Sequence, residues 1–133
     1  MPYGYSSVSI NSGATDGGAG ASTNNNTSSH VVVGQICSIG VTYNGSPPSS
    51  TDVVIATAGN NGPALTILTL TNANSDGWFH PRHVIDDSAG ADITYDGTEE
   101  VYDKVTVADY LKVTVAQAND GDSVDVVIIY AGG

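Results

Sequence analysis

Alternation of β-branched and polar residues is the feature that most constrains how this chain can fold. From His30 onward, short runs rich in Val, Ile, Thr and Tyr are separated by clusters of Gly, Pro, Asn and Asp. A period of two places successive side chains on opposite faces of a strand, and the clusters favour turns. About seven or eight such strands are typical of a sandwich or jelly roll. The sequence therefore predicts an all-β, antiparallel β-sandwich or jelly-roll-like domain.

Individual strands can be placed from the same pattern. The longest run predicts a strand over 31–43 whose odd-numbered residues share one buried face. Shorter strands are expected near 52–58 and 64–71. Near the end of the chain, 111–115 and 124–130 alternate on either side of NDGD, which predicts a hairpin.

The first 29 residues differ in composition from the rest of the chain. The stretch NSGATDGGAGASTNNNTSS consists almost entirely of Gly, Ala, Ser, Thr and Asn. Such a segment buries too little apolar surface to offset its conformational entropy. We therefore predict an extended, flexible N-terminal arm over 1–29 and a β-sandwich domain over 30–133. The sparse apolar residues of the arm are the candidate partner-binding residues: Pro2, Tyr3, Tyr5, Val8 and Ile10.

Acidic residues dominate the charge of the chain. It has three Lys or Arg residues against fourteen Asp or Glu, and its formal net charge is -11. Such a surface repels phosphate groups and anionic lipid headgroups, so neither nucleic acid nor a membrane is an expected partner. The opening residues MPYGYSSVSI lack the pattern of a signal peptide, so export by that route is not expected.

Residues suited to catalysis or metal binding are few. Cys37 has no disulfide partner and suits a small buried apolar position. His80 and His83 flank Pro81, which breaks helical spacing, and no cysteine completes a zinc set. The turn over 119–125 has oxygen ligands for calcium, but a tight Asp-Gly turn accounts for the same residues. Phosphate-binding and nucleophile motifs are also lacking, so no enzyme activity, cofactor or metal is predicted.

Three aromatic residues form a candidate surface site: Trp78, Phe79 and Tyr95. Trp78 and Phe79 open a segment that Pro81 interrupts, which indicates an edge or bulged strand. Beside Asp and Asn hydrogen-bonding groups, these rings favour a platform that binds a carbohydrate or a receptor. The competing interpretation is that Trp78 caps the core of the sandwich.

The chain resembles the decoration, or cement, proteins of tailed-bacteriophage capsids. The stretches PRHVIDDSAGADITYDGTEE and YLKVTVAQANDGDSVDVVIIY carry the resemblance, because their cadence is similar to that of phage virion β domains. Members of that class are small, cysteine-poor β domains with an extended N-terminal arm. They bind the outside of an expanded capsid, often as trimers at local symmetry axes, and clamp neighbouring major capsid subunits.

The resemblance implies a non-enzymatic virion structural protein, made in the host cytoplasm and located on the outer capsid surface. Its implied partners are the major capsid protein and other copies of itself, with a homotrimer favoured. Extended at about 3.3 Å per residue, the arm would reach roughly 100 Å, from one capsid subunit to the next. The alternative function is a phage or cell-surface carbohydrate- or receptor-binding module that uses Trp78, Phe79 and Tyr95.

Overall fold

The computed structural model describes residues 4–132, which form two packed antiparallel β-sheets and contain no helix. The predicted all-β antiparallel sandwich is confirmed. In chain order the strands are β1 (Tyr5–Asn11), β2 (Ser22–Thr27), β3 (Val32–Asn44), β4 (Asp52–Thr57), β5 (Thr66–Leu70), β6 (Gly77–Phe79), β7 (Arg82–Val84), β8 (Tyr102–Asp109), β9 (Leu111–Ala118) and β10 (Ser123–Ala131).

The longest strand, β3, organises the larger sheet. That sheet has the order β1-β10-β3-β8-β7, and β6 also pairs with β3. Along one edge β3 pairs with β10, and along the other it pairs first with β8 and then with β6. The smaller sheet has the order β2-β9-β4-β5. β6 thus continues the edge that β8 begins, beside the second half of β3 and on the side away from β10.

Aliphatic side chains from both sheets fill the space between them. Over 111–115 of β9 and 124–128 of β10, every second residue is buried while its neighbours are exposed or half-buried, as the period of two requires. The largest fully buried side chains of these two strands are Val124, Val126, Ile128, Leu111, Val113 and Val115. Burying an apolar side chain of this size stabilises the fold by about 1.5–3 kcal/mol. This shared core is what holds the two sheets together.

A β-bulge in β3 changes which face of that strand is buried. Its pairing register with β10 shifts between Ile129 and Tyr130, so Cys37 has no residue opposite it. The buried positions are Val32 and Ile36 before the bulge and Ile39 and Val41 after it. The prediction that the odd-numbered residues over 31–43 share one buried face is therefore wrong for the first half of the strand. Cys37 is half-buried at the bulge.

Residues 5–27 are part of the sandwich, which corrects the prediction of a flexible arm over 1–29 for the part of it that the structure describes. β1 pairs with β10 along its whole length, and β2 pairs with β9. Val8 and Ile10, two of the predicted partner anchors, are 5% and 4% exposed and lie in the core. They are therefore unavailable to a partner. Tyr5 is exposed, whereas Pro2 and Tyr3 lie outside the described residues.

Hydrogen bonds compensate for the low hydrophobicity of this segment. The buried Thr15 hydroxyl donates to the carbonyl oxygen of Asn119 at 2.6 Å. The side-chain oxygen of Asn119 accepts from the backbone N–H of Gly20 at 3.0 Å. The carboxylate of Asp122, itself buried, accepts from the backbone N–H groups of Asn119 and Ser46 at 3.0 and 2.9 Å. The Gly-rich segment is thus fixed to the turn before β10 by polar contacts that local composition does not reveal.

The turn NDGD joins strands of different sheets. β9 pairs with β2 and β4 in the smaller sheet, whereas β10 pairs with β1 and β3 in the larger one. The prediction of a hairpin over 111–115 and 124–130 is therefore wrong. Both arrangements need a tight reversal between two alternating runs, so the local sequence looks the same for each.

Replacing Ile10 with Ala tests whether the N-terminal strand contributes to the core. Ile10→Ala should lower the free energy of unfolding by about 2–5 kcal/mol, because it leaves a cavity between the sheets. The neighbouring exposed substitution Ser9→Ala should change it by less than about 0.5 kcal/mol. Urea unfolding measures both. Equally small effects would mean that residues 5–11 do not pack in the core.

Candidate binding surface around Trp78

Trp78 lies flat on the outer face of the larger sheet, opposite Gly40 of β3. The two residues are paired across β6 and β3, and Trp78 is 59% exposed. A Cβ atom placed on Gly40 would lie 3.0 Å from the indole ring, tighter than ordinary van der Waals contact. Because Gly40 has no side chain, the indole ring can pack directly against the backbone of β3. This contact disagrees with the interpretation that Trp78 caps the core.

An open cleft borders the indole ring. It has a volume of about 260 Å³ and is lined by Gly40, Val41, Thr42, Asp76, Gly77, Trp78 and Val127. Val127 of β10 is paired with Gly40, and its neighbours along the strand are buried, so its side chain points outward beside the ring. We call the outward-facing set Gly40, Thr42, Asp76, Trp78 and Val127 the Trp78 face.

Two carboxylates lie on one side of the indole ring: Asp76, within the Trp78 face, and Asp125, next to it. Asp76 is exposed, and one of its carboxylate oxygens accepts from the backbone N–H of Tyr43 at 2.8 Å. In the next row, the Asp125 carboxylate accepts from the side-chain amides of Asn11 and Asn44 at 2.6 and 2.8 Å. The hydrogen bonds from Asn11 and then Asn44 hold the pKa of Asp125 below its ordinary value. The Asp125 carboxylate therefore stays ionised to a lower pH than an ordinary aspartate does.

Burial raises the pKa of Tyr43, whose phenol lies on the inner face of the sheet next to Asp76. Tyr43 packs against the core, and its hydroxyl oxygen is buried with no hydrogen-bond partner among the described residues. Burial first, and the negative charge of Asp76 second, raise the pKa of Tyr43. The Tyr43 side chain is thus held neutral and inward, while its backbone N–H orients the Asp76 carboxylate outward.

The three predicted aromatic residues do not form one platform. Trp78 faces outward, whereas the next residue, Phe79, packs partly against the core. Tyr95 is 75% exposed in the segment between β7 and β8 and lines no part of the cleft. Sequence reasoning missed Gly40, although a glycine inside a strand is itself a signal of close approach. It also missed Val127, since the pairing of β10 with β3 joins distant parts of the chain.

Several of the candidate metal ligands are engaged in other contacts. His80 Nδ1 lies 2.9 Å from the Ser38 hydroxyl, and His83 lies on β7 opposite Asp103. In the turn over 119–125, backbone and side-chain N–H groups occupy the carboxylates of Asp122 and Asp125. Among residues 4–132 no group of three His, Cys, Asp or Glu side chains is arranged to hold a metal ion. The same residues include no helix capable of crossing a membrane.

A second exposed feature is the acidic meander, which we define as residues 85–101 between β7 and β8. Three short segments of it hydrogen-bond in register: Ile93 N–H donates to the carbonyl of Ile85 at 2.9 Å, and Val101 N–H donates to that of Ile93 at 3.2 Å. Isolated bridges join Asp86 with Asp92 and Thr94 with Glu100. The meander is largely exposed, so little apolar burial stabilises it.

Three carboxylates lie close together within the acidic meander, those of Asp86, Asp92 and Glu100. A side-chain hydrogen bond with Asp92 is the largest cause that raises the pKa of Asp86, and the same is true of Glu100. Two carboxylates can share such a bond only if one of them is protonated. Deprotonation of Asp86 and Glu100 therefore removes these hydrogen bonds and leaves like charges side by side, which opposes the local structure. Asp87 has a lowered pKa, because it accepts backbone hydrogen bonds from Ala91 and Ala89 in the adjoining turn.

Comparison with known proteins leaves the family open. No protein-family model matches the chain, and no curated protein matches it. Among solved structures, the crystal structure of FlhE is similar at a TM-score of 0.43 and 12% sequence identity, over 99% of this chain and 100% of that one. A likeness this distant bears on no functional conclusion.

Replacing Gly40 with Ala tests how the indole is seated. Gly40→Ala should tilt the ring away from β3 by a few tenths of an ångström or more and change the emission of Trp78, the single tryptophan of the chain. Gly18→Ala is the matched control, because nothing lies within 4 Å of its Cβ position. Fluorescence spectra and circular dichroism measure the two effects. Identical emission in both variants would contradict the contact.

Neutralising Asp92 tests the strain in the acidic meander. The pKa values of Asp86 and Glu100 are raised, so the stability they give is present below about pH 4 and is lost as the pH rises through the folded values. Asp92→Asn should therefore increase hydrogen-exchange protection of the Ile93 and Val101 amides at pH 7. Asp120→Asn, an exposed substitution outside the meander with the same charge change, is the control. Equal protection in the two variants would refute the repulsion.

Proposed function

We propose that this protein is a non-enzymatic virion structural protein that binds the outside of a phage capsid and reinforces contacts between major capsid subunits. Its resemblance to capsid decoration proteins and its small, acidic β-sandwich support the proposal. A net charge of -11 keeps such a protein soluble and disfavours binding to exposed DNA during assembly. The location that follows is the outer surface of the virion.

The observation that carries this proposal is the exposed tryptophan on a regular sheet face. Trp78 rests on backbone, with more than half of its surface in water, so the core does not require it there. Tryptophan is enriched among the residues that dominate the energy of protein interfaces. A rigid sheet also holds the ring in place before binding, so little conformational entropy is lost on association. The Trp78 face is therefore the proposed contact with the capsid.

This contact replaces the clamp expected from a free arm. Residues 5–27 are committed to the sandwich, so they do not extend across a subunit boundary. Reinforcement then requires either that one sandwich spans two capsid subunits or that several sandwiches are joined. We include self-association, with a trimer favoured, in the proposal. β1 supports it as an edge strand with neither a charged residue nor a proline to block strand addition.

A carbohydrate- or receptor-binding module is the alternative function. The same observation favours it, because an exposed indole beside carboxylate and amide groups also suits a sugar ring. Unlike the decoration function, this alternative predicts that the protein has no affinity for the capsid. Of the three aromatic residues expected to take part, only Trp78 lines the cleft.

Co-sedimentation with expanded capsids tests the proposal. The full chain should pellet with capsids of the phage that encodes it, and Trp78→Ala should reduce the bound fraction at least tenfold, as loss of an interface hot spot does. Tyr102→Ala is the control, since Tyr102 is 58% exposed, almost the same as Trp78, but lies at the β7 end of β8. Deletion of residues 1–29 is unsuitable, because it removes two strands of the fold.

Two outcomes would count against this function. If the wild-type chain stays in the supernatant, the capsid is not its partner and the carbohydrate-binding alternative gains support. If Tyr102→Ala loses binding while Trp78→Ala retains it, the contact surface is elsewhere on the sandwich. Unfolding curves of both variants establish that neither result comes from loss of structure.

A further inference from the structure

We propose that the cleft of the Trp78 face receives an arginine side chain of the protein partner. The guanidinium would stack on the indole of Trp78 while its N–H groups donate to the carboxylate of Asp76. This inference rests on the proposed function in one respect, namely that the partner is a protein. It adds the chemical identity of the group that the cleft recognises.

Charge is the first argument. The chain carries fourteen acidic residues against three basic ones, and the Trp78 face contains a carboxylate and no cation. Lys104 and Lys112 lie on β8 and β9, outside the cleft. Arg82 donates to the carbonyl oxygens of Cys37 and Pro81 at 3.2 and 2.8 Å. An anionic ligand would therefore meet repulsion at this cleft, and a cation would be attracted to it.

The second argument is the pairing of an aromatic face with a fixed carboxylate. A cation over an indole ring is stabilised by the quadrupole of the ring, most strongly when the ring is tryptophan. The Tyr43 N–H bond holds one oxygen of Asp76, and no described residue donates to the other. Arginine suits both groups at once, because its planar guanidinium stacks on rings and its N–H groups bind carboxylates.

Size is the third argument. The cleft volume of about 260 Å³ lies below the roughly 300–1,000 Å³ of pockets that enclose drug-sized ligands. It therefore suits one side chain projecting from a larger surface. Val127, beside the ring, provides an apolar surface against which the methylene groups of arginine can pack. A neutral sugar ring would stack on the indole and donate hydroxyl hydrogen bonds to the carboxylate, but it would gain no attraction between opposite charges.

Fluorescence of the single tryptophan gives a direct test with a defined probe. N-acetyl-arginine amide should change the Trp78 emission along a saturable curve in the millimolar range. N-acetyl-citrulline amide has nearly the same shape without the charge, and it should give no saturable change. Asp76→Asn should weaken the response to the arginine probe at least threefold, with Asp120→Asn as the control of equal charge change. Proton–nitrogen NMR shifts of the Tyr43 amide and the Trp78 indole should follow the same curves.

The outcomes separate this inference from the proposed function. Equal responses to the arginine and citrulline probes, or an unchanged response in Asp76→Asn, would overturn the arginine assignment. A saturable response to methyl glucoside with none to the arginine probe would overturn it in favour of a carbohydrate. If the probe binds as expected but the chain does not pellet with capsids, the decoration function fails and the cleft assignment stands. If the chain pellets with capsids but does not bind the arginine probe, the decoration function stands and the cleft assignment fails.

Discussion

Strand β10 is the element on which the rest of the sandwich depends. It pairs with β1 on one side and with β3 on the other, and it buries Val124, Val126 and Ile128 against the smaller sheet. The turn before it also anchors the Gly-rich segment through Thr15 and Asp122. The end of the chain thus holds its beginning in place. Pairing across so many residues carries a large loop-closure cost, which only the completed core offsets.

The folded N-terminal segment changes where the protein can make contacts. Apolar side chains that a free arm would offer to a partner are used in its own core. What the described part of the chain presents instead is two rigid sheet faces, a few exposed aromatic rings and the acidic meander. A rigid face loses little entropy on binding, whereas an arm must be ordered first. The interaction surface that fits this architecture is therefore preformed.

The Trp78 face combines a close packing contact with a fixed negative charge. Gly40 lets the indole lie on the sheet, and the backbone of Tyr43 orients Asp76 beside it. Neither contact adds much to the core, so stability alone does not explain an exposed tryptophan there. The acidic meander differs in this respect, because its three close carboxylates work against its own structure as they ionise. It resembles a locally weak segment more than a preformed site.

The sequence by itself determined the all-β class, the strands β4, β5 and β9, the break at Pro81 and the acidic surface, because alternation and charge are local properties. Only the tertiary structure decided that residues 5–11 and 22–27 form strands, since partners of this segment such as Asn119 and Val115 lie about a hundred residues away. It also decided the bulge at Cys37 and the change of sheet after β9. The cleft beside Trp78 belongs to this second group, because β3, β6 and β10 meet there only after the sheet has formed.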